Sequence, residues 1–451
     1  MQEVDANTLN DFSQSVIWDW QSHYFREKGI EAWRTKEVPH YVTSNPTIAN
    51  TYAKLFRAFR QDRVNFKGTD RLAPVTICEL GAGSGAFAFH FIQRMIALCE
   101  IAGEKPTSVF KYVLTDISEK TISFWLDHPR FQPWLESGVL DVAYFDVLSE
   151  TEISLQVSKE KLVPGTLEEP LLIIGNYLFD SIPQEMFHFS NGQLDACQVT
   201  YSFPEQGENL SEVEKLARFQ PHYTYRKTST PLYSDNHLNK VIRDYQRELQ
   251  SGHILFPVQG WEVVQRLRAL SKSGAFVLGV DKGTIALEQL EQHPIPEIQQ
   301  HGSISMPVNI HALARLTEET DGMALLPQSR IWDFNIFGLL LTDSDKYTLL
   351  KATYIKNVER DNPYDFYQTA ANKRKDIDAM TFEEILSFTE RSRYDVMQFV
   401  FFLPKLIKEA PFLSLNNGQV LSETIDKVWE AHYPLGEELA IIKTQKGGFF
   451  Y

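Results

Sequence analysis

From residue 75 onward the chain alternates short apolar runs with amphipathic stretches, and this alternation restricts the available folds more than any other feature. "VTICEL" (75–80), "KYVLTD" (111–116), "LDVAYFD" (140–146) and the start of "PLLIIGNYLFDSIP" (170–183) read as four strands. Residues 85–99 between the first two read as a helix, with Phe87, Phe91 and Met95 along one stripe and Ala88, Ile92, Ile96 and Cys99 beside it. A helix over 260–271 leads to a fifth strand, "AFVLGVDKG" (275–283). A helix near 309–319 and two late strands, around 322–327 and 346–353, are expected to complete the sheet. Apolar strands spaced by helices predict an α/β fold whose parallel sheet is covered on both faces.

The flanks differ in character. Residues 9–36 read as helical, with apolar weight from Trp18, Trp20, Tyr24 and Trp33. Ser44 or Asn45 can cap a following helix that has Pro46 in its first turn and Ile48, Tyr52, Leu55, Phe56 and Phe59 at helical spacing. Asn191-Gly192 sits between two strand-like runs in 185–203 and predicts a hairpin. Residues 204–255 are polar and mixed, expected as an insertion with some helix, and the chain beyond 358 is polar and helical. The expected division is an N-terminal helical segment (1–70), a domain over 71–357 with an insertion at about 190–255, and a C-terminal helical extension (358–451).

Composition excludes several classes. A net charge of −15 repels phosphate backbones, so nucleic acid is not the expected partner. Cys78, Cys99 and Cys197 form no metal, redox or disulfide pattern, and no histidine has a partner at ligand spacing, so no metal site is expected. Glu3, Asp5 and Asp11 with no early basic residue fit neither a signal nor a transit peptide. "FNIFGLLL" (334–341) and "VMQFVFFL" (396–403) are too short to cross a bilayer. A cytoplasmic protein without membrane insertion is the expectation.

The stretch "ICELGAGSGAF" (77–87) carries the chemistry. Gly81, Gly83 and Gly85 form a strand-to-helix turn where a ligand can lie against bare backbone and the next helix offers free N–H groups. Dinucleotide sites use G-x-G-x-x-G; the spacing here is G-x-G-x-G with Glu79 two residues ahead, that of class I S-adenosylmethionine (SAM) methyltransferases. Asp116 ends the second strand, 33 residues beyond Gly83, where a carboxylate can accept from both ribose hydroxyls. Asp146 ends the third and can accept from an adenine amino group, with Phe145 and Val147 as ring contacts. Ala82, Ile117 and Asn176 are further expected cofactor contacts. The fold expected is therefore a Rossmann-like class I SAM-dependent methyltransferase.

Over residues 38–355 the sequence resembles the MidA-like SAM-dependent methyltransferase family, which includes mitochondrial complex I assembly methyltransferases. The resemblance rests on "HYVTSNPTIANTYAKLF", "CELGAGSG", "GNYLFDSIPQEMFHF", "FVLGVDKG" and "GSISMPVNIHALARLTEETDG". It implies methyl transfer from SAM, with a protein as acceptor; a homodimer is left open. It places Ser44, Phe179 and Pro183 on the substrate side and makes Asp180, Tyr177 and Asp281 the catalytic candidates. Tyr177 stands where the family carries a glutamate, and Lys282 where it carries a tyrosine. A guanidinium acceptor needs a carboxylate to hold it by a charge-assisted fork, so the loss of one acid argues against arginine. The alternatives are a SAM-binding assembly or interaction factor without catalysis, and a nucleotide-binding oxidoreductase, which the glycine spacing disfavours.

Overall fold

The structure, a computed structural model, describes residues 8–69, 71–203, 210–328, 334–342 and 346–436. The expectation drawn from Glu3 and Asp5 therefore lies outside the described residues. A two-residue strand, Asn10–Asp11, precedes helix α1 (Ile17–Lys28) and the one-turn helix α2 (Glu31–Arg34). Helix α3 (Pro46–Lys67) begins at Asn45, whose side chain accepts from the N–H groups of Thr47 and Ile48 at 3.1 and 3.0 Å. It ends at Gly68, which takes the left-handed φ of 64°. Ile48, Tyr52, Leu55, Phe56 and Phe59 are buried against the central sheet. Each contributes about 1.5–3 kcal/mol by burial, so packing rather than propensity fixes this helix.

Strand β1 (Val75–Glu79) runs into helix α4 (Ala86–Ala102), β2 (Phe110–Asp116) into α5 (Glu119–Asp127), and β3 (Leu140–Tyr144) follows. After β4 (Leu171–Asn176) comes the hairpin of β5 (Glu185–Ser190) and β6 (Gln193–Ser202). Its turn residues Asn191 and Gly192 take φ of 49° and 79°, the handedness a two-residue hairpin turn requires. Then follow β7 (Gln220–Thr228), α6 (Asn236–Glu248), β8 (Ser251–Phe256), α7 (Val258–Arg268) and β9 (Ala275–Asp281). Helix α8 (Ile310–Glu319), β10 (Met323–Leu325), β11 (Asn335–Leu341) and α9 (Thr348–Tyr354) complete this part.

The seven-stranded central sheet has the order β10-β11-β9-β4-β1-β2-β3. β11 runs antiparallel to both neighbours and the other pairs are parallel. The order of connection reverses between β4 and β1, which opens a crevice beyond their carboxyl ends.

The last strand corrects the sequence reading. Residues 346–353 are not strand but lead into α9, where the fully buried Tyr347, Leu350 and Tyr354 recur at helical spacing. The last strand is instead Asn335–Leu341, all seven residues of which are buried. It makes the sheet mixed rather than wholly parallel.

The segment expected as a partly helical insertion builds a second, five-stranded sheet. β6 pairs with β5, β7 and Asn10–Asp11, and β5 pairs with β8. Helix α1 packs on it: Ile17 and Trp20 share a core with Cys197, Val199 and Tyr201. Helices beyond 358 enclose a core of their own around Ile385, Phe388, Phe399 and Phe402. The last of them, α10 (Leu415–Ala431), returns the chain to the glycine turn. No helix among the described residues is long and apolar enough to cross a membrane.

Candidate active site

A cavity of about 350 Å³ lies at the carboxyl ends of the central strands, with α1, α2 and residues 38–44 forming its other wall. The glycine turn forms its floor. Gly81 and Gly83 take φ of 57° and 54°, which only glycine adopts without strain. The Gly83 N–H donates to Asp116 Oδ2 at 3.2 Å, and the Ala82 N–H donates to the Thr115 carbonyl at 2.9 Å. A β-carbon on Gly83 would sit 2.5 Å from the Trp33 ring, so this position is bare because α2 closes over it. Gly85 faces the other way, toward Trp125, Phe131 and Tyr433, and is absent from the cavity wall. Its place is at the start of α4, which it caps at φ 77°.

The three strand-end acids meet different surroundings. Glu79 is buried, accepts from the Tyr112 hydroxyl at 2.7 Å, and has its pKa pushed up to about 8 by that burial. Asp116 is raised to about 6 by burial, opposed by the N–H groups of Ser118 and Gly83. Asp146 pairs with Arg26 of α1 at 2.8 Å and also accepts from the Leu148 N–H at 3.0 Å. Ile117 and Val147 stand beside these acids in the cavity wall.

The turn after β4 supplies the other side. Asn176 accepts from the Tyr52 hydroxyl at 2.9 Å, while its Nδ2 is buried without a hydrogen-bond partner. Tyr177 takes φ of 50°, an unusual conformation for a bulky side chain, and lines the cavity. Asp180 also lines it. Burial pushes its carboxyl up to about 6 against the Lys282 charge, and the Ser181 hydroxyl donates to it at 2.7 Å. Ser44 and Pro183 also lie in the wall.

Two expectations give way here. Phe179 does not face the cavity; it is 1% exposed and packs on Phe337 with ring centroids 5.8 Å apart. Asp281 is fully buried behind the turn, where its Oδ2 accepts from the Phe179 N–H at 3.2 Å. Its Oδ1 has no partner, and burial together with Asp180 holds its pKa well above the usual range. Both are drawn inside because the turn folds back onto β9 and β11. Asp281 thus braces the turn from behind and has no access to an acceptor.

Several lining residues carried no assigned role in the sequence reading. Trp18, Gln21, Ser22, Phe25 and Trp33 come from α1 and α2, and His40 and Thr43 from the segment before α3. Lys282, His301, Ser303 and Ser305 form another part of the lining, with Lys282 and His301 both meeting the Ser305 hydroxyl. The N-terminal aromatics were visible as apolar weight, but only the folded chain brings them over the glycine turn. No group of three or more His, Cys, Asp or Glu among the described residues is placed to hold a metal ion.

This donor set suits a cofactor with ribose hydroxyls and an amino-acid end. The glycine turn in the cavity wall and the unpartnered Asn176 Nδ2 fit such a molecule. Residues 47–327 match the family model described as "Putative S-adenosyl-L-methionine-dependent methyltransferase". Among solved structures, an uncharacterised protein from Burkholderia thailandensis is 11% identical with a TM-score of 0.44, over 76% of this chain and 90% of its own. Another from that organism, bound to S-adenosyl-homocysteine, is 12% identical with a TM-score of 0.45, over 76% of this chain and 91% of its own. Magnesium protoporphyrin IX methyltransferase from Synechocystis, with bound SAM, is 9% identical with a TM-score of 0.29, over 72% and 96%. No curated protein matches the chain.

Proposed function

The chain belongs to the family of SAM-dependent methyltransferases whose model spans its residues 47–327, and we propose that it methylates a protein side chain, with Asp180 as general base. The observation that carries this is the cavity itself. At about 350 Å³ it is near the lower limit for a single small-molecule ligand, so a cofactor fills most of it. The space left suits an acceptor that reaches in as a narrow side chain from a larger body.

In this reading Gly81, Ala82 and Gly83 give the cofactor a close backbone surface. Asp116 holds the ribose, Asp146 and Val147 the adenine, and Asn176 the amino-acid end. When bound, SAM supplies an electrophilic methyl group that needs alignment more than activation. Asp180 takes the acceptor's proton; a carboxyl raised to about 6 is a better base than an ordinary one and is still ionised at pH 7. Within the N-terminal segment (1–70), α1, α2 and residues 38–44 serve as a cover that excludes water, and 71–357 is the catalytic domain.

The test is tritium transfer from labelled SAM into an extract of cells lacking the gene. Asp180→Asn should leave S-adenosylhomocysteine affinity near normal and cut transfer by about a hundredfold. Native activity should rise with pH through about 6, as Asp180 ionises. Equal labelling by both proteins removes Asp180 from the mechanism. No labelling by either favours the non-catalytic assembly factor.

A further inference from the structure

Building on the methyltransferase reading above, we propose that the acceptor atom is a phenolic hydroxyl oxygen, presented between the Asp180 carboxylate and the Lys282 ammonium. The protein side chain methylated is then a tyrosine.

The sheet separates two ends of the cavity. The glycine turn, Asp116 and Asp146 follow β1, β2 and β3, on one side of the reversal. Asp180 and Lys282 follow β4 and β9, on the other, where Asn176 takes the amino-acid end of the cofactor and the acceptor would meet its methyl group. Lys282 is held in place: its Nζ donates to Gln299 Oε1 at 2.7 Å and to the Ser305 hydroxyl. His40 and His301 also line the cavity, but burial lowers both below the ordinary histidine value, so they are neutral at pH 7.

A fixed ammonium in the wall disfavours an acceptor that arrives as a cation, arginine and protonated lysine among them. A hydroxyl arrives neutral and becomes anionic only as its proton leaves. Lys282 then stabilises charge that exists in the transition state and not in the ground state, where it is most effective. A phenol ionises near pH 10, far below an alkyl alcohol, and is within reach of a carboxylate base helped by an ammonium. Trp18, Val38, Tyr177 and Pro183 add apolar and aromatic surface to the same cavity wall, which suits a ring.

The step balances. The acceptor's proton passes to Asp180, the freed oxygen pair forms the O–CH₃ bond, and the methyl–sulfur bond breaks with its electrons on sulfur. A sulfonium and a carboxylate become a neutral thioether and a neutral acid.

The test labels a deletion-strain extract with tritiated SAM and the full chain, then examines the chemistry of the label. A phenol ether survives mild alkali, is absent from methylated arginine and lysine after acid hydrolysis, and yields volatile methyl iodide in hydriodic acid. Lys282→Gln should slow labelling at least tenfold and Lys282→Arg should restore a third or more. Both should keep S-adenosylhomocysteine affinity within threefold by calorimetry. Alkali-labile label or label in methylated arginine or lysine overturns the phenol while leaving the methyltransferase reading intact. A tenfold loss of S-adenosylhomocysteine affinity in Lys282→Gln also overturns it, because Lys282 would then serve the cofactor. Absence of any label, with that affinity intact, overturns both.

Discussion

Arg26 of α1 donates to Asp146 Oδ2 at 2.8 Å and ties the N-terminal cover to the end of β3. The pair joins residues 120 positions apart and links the helix that lines one wall of the cavity to a strand end in the other. Arg26 is about half exposed, and such a pair contributes at most about 1 kcal/mol to stability. Arg26→Ala should therefore melt within a few degrees of the native chain. Release of S-adenosylhomocysteine, followed by stopped-flow fluorescence of the nearby tryptophans, should speed up several-fold. An unchanged release rate would mean that the pair is not a clasp.

The contact between Gly83 and Trp33 makes a sharper case. Alanine at 83 must adopt φ near 54° and thrust its methyl group into an indole ring 2.5 Å away. Gly83→Ala should lower S-adenosylhomocysteine affinity at least tenfold, about 1.4 kcal/mol. Adding Trp33→Ala removes the collision but not the backbone strain. The double variant should then bind better than Gly83→Ala alone, a coupling readable from a calorimetric double-mutant cycle. Simple additivity would show that the loop meets α2 differently.

Glu79 predicts an effect of pH on stability. Burial raises its pKa from an ordinary 4.5 to about 8, so the neutral acid is the form the fold prefers. Its contribution is complete below pH 4.5 and lost as pH rises through about 8. Glu79→Gln keeps an oxygen for the Tyr112 hydroxyl and cannot ionise. The variant should melt above the native chain at about pH 9, by on the order of a few kcal/mol at most, with the gap closing near pH 5. Parallel melting curves at both pH values would contradict a buried, neutral Glu79.

How far these features could be read in the sequence depended on how local they were. The glycine turn, the hairpin at Asn191-Gly192 and the cap at Asn45 follow from a few adjacent residues, and all three are present. The exchange of the last strand and α9 was legible but missed, since Tyr347, Leu350 and Tyr354 already stand at helical spacing. The roles of Asp180 and Asp281 were not legible. Both follow strands as acids, and only the fold of the turn onto β9 leaves one in the cavity wall and the other behind it. Trp33 and Tyr433 reach the site through contacts distant in sequence, and no spacing rule announces them.

Tyr433 lies just beyond α10 yet touches the glycine turn. Its hydroxyl donates to the Ser84 carbonyl at 3.0 Å, between Gly83 and Gly85, and its ring stacks on His128 with centroids 4.3 Å apart. Arg34 of α2 donates to the neighbouring Leu435 carbonyl, so the C-terminal segment braces both the turn and the cover above it. Tyr433→Phe removes one hydrogen bond and keeps the stacking. It should cost about 1 kcal/mol of stability. If the hydroxyl also sets the shape of the turn, the same change should lower S-adenosylhomocysteine affinity by about threefold to tenfold. Tyr433→Ala empties a buried site, should cost about 3–5 kcal/mol, and should abolish measurable binding. Melting temperature and calorimetry on the same samples separate the two roles. A Tyr433→Phe chain that melts lower but binds normally would reduce the C-terminal extension to a structural brace; one that loses affinity as well makes the extension part of the cofactor site.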